Sequence, residues 1–259
     1  MITILILVVG FVFVTAVFIV TAPFDPGRYA AGRTFRLLSV ALVKLNPFWH
    51  FSTSGVRISD PRHPYVAVAN HQSYADIALI SHLPWEMKWM SKDTIFRIPL
   101  MGWMMTMAGD IALTRGDRSS ALEAIAACRD RLLKRVSVMI FPEGTRSRGR
   151  ELLPFKDGAF RLAIETGVPI LPIAVAGTRH AMAKGSFRFG HAVARCHVLE
   201  PVPTEGLTLA DVPELKARVR AMIDDARHGL ERELGITPES ARGTSAVERA
   251  STTAANDAS

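Results

Sequence analysis

Tyr65-Val66-Ala67-Val68-Ala69-Asn70-His71-Gln72-Ser73-Tyr74-Ala75-Asp76 is the stretch that decides the fold. Residues 65–69 form a continuous apolar run that gives way at once to polar residues. A run that short, bounded so sharply, is that of a strand buried on both faces, as in an α/β sheet. The form recurs at 136–141 and 170–176, and less cleanly at 192–199. Amphipathic stretches lie between these runs, so the alternation from Val56 onward is that of an α/β domain. Ser120 with Glu123 makes a capping-box pattern ahead of Leu122, Ile125 and Leu132 at helical spacing. Asp211 with Glu214, and Pro213 near the start, opens a helix through Leu215, Val219, Met222 and Leu230 that stops at Gly235. No repeat is visible, and no linker divides residues 56–234.

Upstream the composition changes. No charged residue occurs before Asp25, and residues 2–20 are almost wholly apolar. A bilayer core of ~30 Å needs ~20 helical residues, so this segment is long enough to span or to anchor. A signal peptide would want basic residues before the run and a small-residue cleavage site after it. Thr21-Ala22-Pro23 is a poor site, so an uncleaved anchor is expected. Arg28, Arg33, Arg36 and Lys44 follow, and this basic flank predicts that the rest of the chain faces the cytoplasm. On a helical wheel Ala31, Phe35, Leu38, Leu42 and Leu45 share one face, with Arg33, Arg36 and Lys44 opposite. That pattern predicts an interfacial helix whose basic face meets phospholipid headgroups. A helix packed on the protein's own core would show the same period. A spanning helix followed by a surface helix and a hairpin dipping into one leaflet also fit alike.

The 259 residues are 49% hydrophobic with a formal net charge of +7. A mean hydropathy of +0.19 is high for a soluble enzyme, and the pI near 9.8 favours an anionic partner. Nucleic acid, an anionic bilayer and a phosphorylated substrate all satisfy that charge. Cys128 and Cys196 lack metal-type spacing and read as buried thiols of a reducing compartment. Beyond Thr237 the chain is rich in Ser, Thr, Ala and Asn without apolar period, so a disordered tail is expected. The expected organisation is a membrane anchor and interfacial helix over 1–50, an α/β domain over 51–236 and a tail over 237–259.

Two constellations follow buried runs. His71 stands just past the first, at the carboxyl edge where α/β sheets build sites. Asp76, five residues on, can fold back on the imidazole, fix its tautomer and leave the other nitrogen free as a base. Phe141-Pro142-Glu143-Gly144-Thr145-Arg146-Ser147 follows the second. Gly144 permits close ligand approach, and Arg146 offers a planar fork suited to phosphate. Arg148, Arg150 and Lys156 add positive charge nearby. Each pattern alone also suits a bland role: a capping histidine, or a turn with a Glu143–Arg146 ion pair.

Together, and in order, they resemble the glycerophospholipid acyltransferases, in particular the 1-acyl-sn-glycerol-3-phosphate acyltransferases. Residues 70–76 are similar to that family's Asn-His-x-Ser-x-x-Asp block, and 141–147 to its Phe-Pro-Glu-Gly-Thr-Arg-Ser block. Gly109-Asp110-Ile111-Ala112-Leu113-Thr114-Arg115 resembles a second block, and residues 168–175 a fourth with two prolines. Phe155-Lys156-Asp157-Gly158-Ala159-Phe160 has the family's look as well. Ala112 and Thr114 depart from it, standing where an aromatic and an acidic residue are usual, which weakens the case for Arg115.

The resemblance implies a central mixed β-sheet flanked by helices, preceded by an N-terminal helical membrane anchor. It implies His71 as general base oriented by Asp76. Lys92, Arg115, Glu143, Gly144, Thr145 and Arg146 are implied in the acceptor site, with Arg146 gripping the phosphate. The implied reaction moves an acyl group from acyl-CoA or acyl carrier protein to lysophosphatidic acid at a membrane phospholipid surface. No permanently bound cofactor, metal or nucleic acid is expected. Another lysolipid or glycerol 3-phosphate as acceptor, an acyl hydrolase and a lipid-binding protein without catalysis remain alternatives.

Overall fold

In a computed structural model the described residues are 2–147, 149, 151–181 and 190–236. The expected tail at 237–259 lies outside them, as do Arg148 and Arg150. The helices are α1 (Ile2–Thr21), α2 (Tyr29–Lys44), α3 (Ala75–Ile80), α4 (Asp93–Phe96), α5 (Met101–Ala108), α6 (Arg118–Leu133), α7 (Gly158–Thr166) and α8 (Val212–Glu233). The strands are β1 (Trp49–Gly55), β2 (Val66–Ala69), β3 (Met87–Lys92), β4 (Ile111–Leu113), β5 (Ser137–Ile140), β6 (Ile170–Ala176) and β7 (Ala192–Val198). They form a seven-stranded sheet in the order β1-β7-β6-β2-β5-β3-β4. The run β6-β2-β5-β3-β4 is parallel, while β7 lies antiparallel to β6 and carries β1 parallel to itself. The expected mixed, helix-flanked sheet is therefore observed.

The strand pleat sends alternate residues to opposite faces. Val66 and Val68 of β2, Val138 and Ile140 of β5, and Ile170 and Ala174 of β6 pack with α6, α7 and α8. Ala67, Ala69, Met139, Leu171, Ile173 and Val175 face the other way, onto α3 and onto Trp85 and Trp89. Both faces are dry, which is why β2, β5 and β6 read as continuous apolar runs. The helix expected from Ser120 begins earlier, at Arg118. Asp117 caps it, accepting from the backbone N–H of Ser119 at 2.8 Å and of Ser120 at 3.2 Å. In place of a simple Asp211 cap, Thr208 and Asp211 close a capping box on a 3-10 turn that leads into α8.

α1 packs through Val14 against Phe35 of α2 and Met104, Met105 and Ala108 of α5. Among the described residues no helix is long and apolar enough to cross a membrane. α2 corrects one expectation. Its basic residues do not all turn to headgroups: Arg33 donates to the carbonyl of Leu83 at 2.6 Å, and Arg36 is buried. Arg36 pairs with Asp110, whose Oδ1 also accepts from the Trp89 backbone N–H at 3.0 Å. Glu86 Oε1 takes Lys88 Nζ at 3.0 Å, and the same ammonium donates to the Arg28 carbonyl at 2.7 Å. A helical wheel says which residues share a face. Two buried carboxylates beside β3 and β4 decide which way that face turns.

Candidate active site

β2 and β5 are neighbours, so the turns leaving their carboxyl ends meet. A tight set of contacts clasps them. Glu143 Oε1 accepts the His71 backbone N–H at 2.7 Å, and Oε2 accepts that of Leu153 at 3.0 Å. The Ser147 N–H donates to the His71 carbonyl at 2.9 Å. The His71 and Phe141 rings stack 3.9 Å apart, and the Arg146 guanidinium lies 3.7 Å above the Tyr74 ring. Asn70, fully buried, clamps the turn to β6, donating to the Val175 carbonyl at 2.9 Å and accepting its N–H at 2.8 Å.

Within this frame Asp76 Oδ2 lies 2.8 Å from His71 Nδ1. The same oxygen accepts the N–H groups of Gln72 at 2.7 Å and Ser73 at 2.9 Å, while Oδ1 accepts the Thr178 hydroxyl. A carboxylate oxygen that already takes two backbone N–H groups favours Nδ1–H as its third donor, which in the neutral ring leaves the lone pair on Nε2. Nε2 makes no hydrogen bond among the described residues, and the residue is nearly buried at 8% exposed. The arrangement is a fixed, buried imidazole on a turn clasped to the one that carries Arg146. Arg146 Nη1 is buried without a hydrogen-bond partner among the described residues.

Glu143 is not an open carboxylate facing a ligand. Its two oxygens brace backbone, and burial holds its carboxyl above the usual range despite those two N–H donors. Gly144 turns through φ 70°, and the Lys156 Nζ lies 2.9 Å from where a Cβ would stand. Any side chain there would meet both strain and that cation. Thr145 is half-buried beside it. Lys92 and Arg115 are exposed where β3 and β4 end, at the same sheet edge but further out. At ~4.8 Å per strand their Cα atoms stand roughly 10 and 14 Å from the β2 line. Thr178, Asn70 and Tyr74 are further residues of the site, to which motif spacing alone assigns no part. Asn70 and Tyr74 lie within the His71 block. Thr178 follows the end of β6, at the same sheet edge, which is the signal that could have found it. No group of three or more His, Cys, Asp or Glu among the described residues could hold a metal ion.

A family model described as Acyltransferase matches residues 51–176, from β1 to the end of β6, and so contains both clasped turns. A 1-acyl-sn-glycerol-3-phosphate acyltransferase beta from Homo sapiens is 34% identical over 191 residues, covering 71% of this chain and 69% of that one. The chain belongs to the acyltransferase family. A chloroplastic 1-acyl-sn-glycerol-3-phosphate acyltransferase of Brassica napus is 41% identical over 147 residues, 56% of this chain and 43% of its own. The chain spans about half the length of several such curated relatives. The crystal structure of the 1-acyl-sn-glycerophosphate (LPA) acyltransferase PlsC from Thermotoga maritima superposes with a TM-score of 0.63 at 28% identity, covering 90% of this acyltransferase and 96% of that chain.

Proposed function

We propose that this acyltransferase moves a fatty acyl group from a thioester, acyl-CoA or acyl carrier protein, to the free hydroxyl of 1-acyl-sn-glycerol 3-phosphate, giving phosphatidic acid. The observation that carries the proposal is His71 held through Nδ1 by Asp76, with Arg146 on the turn clasped to it and Arg146 Nη1 without a hydrogen-bond partner among the described residues. Nε2 takes the proton of the acceptor hydroxyl as its oxygen bonds to the thioester carbonyl carbon. The tetrahedral adduct then expels the thiolate, which takes the proton back from the imidazolium. General-base assistance of this kind is worth ~10²–10⁴ in rate.

Arg146 binds the acceptor's phosphate on this reading. Gly144 lets the turn close against Lys156 Nζ with Thr145 beside it, Glu143 braces the turn, and Lys92 and Arg115 extend a positive field along the sheet edge. The membrane enters through α1 and α2. Val9, Val12, Phe13, Val20, Phe24 and Leu37 are all exposed there, an apolar surface suited to burial in one leaflet. The basic flank from Arg28 to Lys44 supports a catalytic side facing the cytoplasm.

The test is a panel of lysolipids offered with acyl-CoA, or with acyl carrier protein as donor, and products identified by mass spectrometry. Phosphatidic acid formed from lysophosphatidic acid, and lost by about 10²-fold or more in a folded His71→Ala variant, is the expected result. Turnover of wild-type size in that variant sinks the mechanism. Free fatty acid released without an acceptor would mark a hydrolase instead.

A further inference from the structure

Tyr74 flanks the start of α3, three positions after His71. It is 46% exposed at the mouth of the site, and its hydroxyl makes no hydrogen bond among the described residues. What the ring does instead is lie face-on beneath Arg146, 3.7 Å from the central guanidinium carbon. An arginine side chain has many rotamers, and a donor fork is useful only if those are restricted. Stacking restricts them by occupying the guanidinium's flat face. Stacking on the ring uses none of the N–H donors along the edge, and Arg146 Nη1 is buried with no partner among the described residues. A buried donor left in that state is a place prepared for an acceptor oxygen.

We propose that Tyr74 is the positioning residue for Arg146, its ring holding the fork in the pose that meets the acceptor's phosphate. This rests on Arg146 being the phosphate ligand. The ring acts through its face alone, so phenylalanine should serve as well as tyrosine. An aliphatic residue of similar bulk should not.

Acceptor kinetics on the detergent-solubilised full chain test this. Tyr74→Leu and Tyr74→Gln should raise KM for lysophosphatidic acid about 3- to 10-fold, with kcat within about twofold of wild type. Tyr74→Phe should keep both constants near wild type. Arg146→Leu should raise KM further, and adding Tyr74→Leu to it should cost nothing more, because the ring then has nothing to hold. With a monoacylglycerol, which lacks phosphate, Tyr74→Leu should leave KM unchanged. A KM effect in Arg146→Leu but in neither non-aromatic Tyr74 variant overturns the inference and leaves the role of Arg146 standing. Equal losses in Tyr74→Phe and Tyr74→Leu also overturn it, since the hydroxyl would then be what matters. If Arg146→Leu itself leaves KM untouched, the phosphate reading fails and takes this inference with it.

Discussion

A single carboxylate, Glu143, shows how residue chemistry builds the site. Its sequence neighbours suggest a surface ion pair with Arg146, yet it turns inward and ties the His71 turn to residue 153 through two backbone N–H groups. Burial raises its pKa above the ordinary carboxylate range. A carboxyl whose folded-state pKa exceeds its unfolded one contributes its stability fully below the unfolded value. That share is lost as pH rises through the raised one. Glu143→Gln can accept from only one of the two donors through its single amide oxygen. We expect a loss of about 1–3 kcal/mol, with a flatter dependence of stability on pH. Melting both proteins between about pH 4 and 8 checks it, and an unchanged midpoint would show that the brace carries no weight. The sequence made the His71–Asp76 pair legible because both lie within one turn's reach. Thr178 was hidden because it joins Asp76 from 102 residues away.

Elements were legible in proportion to how dry their surroundings are. β2, β5 and β6 are buried along their whole length and stood out as apolar runs. β1 did not, because it is an edge strand with Ser52, Thr53 and Ser54 turned to solvent. β3 was masked by Lys88, whose charge is buried against Glu86, and β4 is three residues long. The same buried charges fix α2 to the sheet at Gly32. A Cβ there would overlap Glu86 Oε1 and Lys88 Nζ. Gly32→Ala should therefore cost about 1–3 kcal/mol or more by forcing that pair apart. Gly229 in α8 has open space around it, and Gly229→Ala should stabilise by roughly 0.5–1 kcal/mol. Paired denaturant melts decide: equal effects at the two glycines would mean that α2 does not press on those charges.

At the scale of the whole molecule, the sheet separates two cores, and each contains one free thiol. Cys128 of α6 lies in the core with α7 and α8, and burial pushes its pKa up to about 12. Cys196 of β7 lies in the other core, and burial raises its pKa too, with Asp76 adding to it. Reactive thiolate is scarce in both while the fold is closed. Neither should label with a thiol reagent at about pH 8 in the native protein, and both should label on unfolding. Labelling of one alone by mass spectrometry would show that its face opens independently. The overall architecture was legible because parallel α/β sheets leave so clear an apolar signature. Which side of α2 meets the protein was not, since that depends on partners far along the chain. The sheet's order also bears on synthesis. β1 leaves the ribosome long before its partner: Ser54 and His197 are 143 residues apart. Both motif turns likewise emerge before β6, which holds Asn70 through Val175 and is followed by Thr178. A nascent chain thus exposes the turns that carry His71 and Arg146 before the strand that anchors them exists, and their geometry is complete only once β6 and Thr178 have been translated.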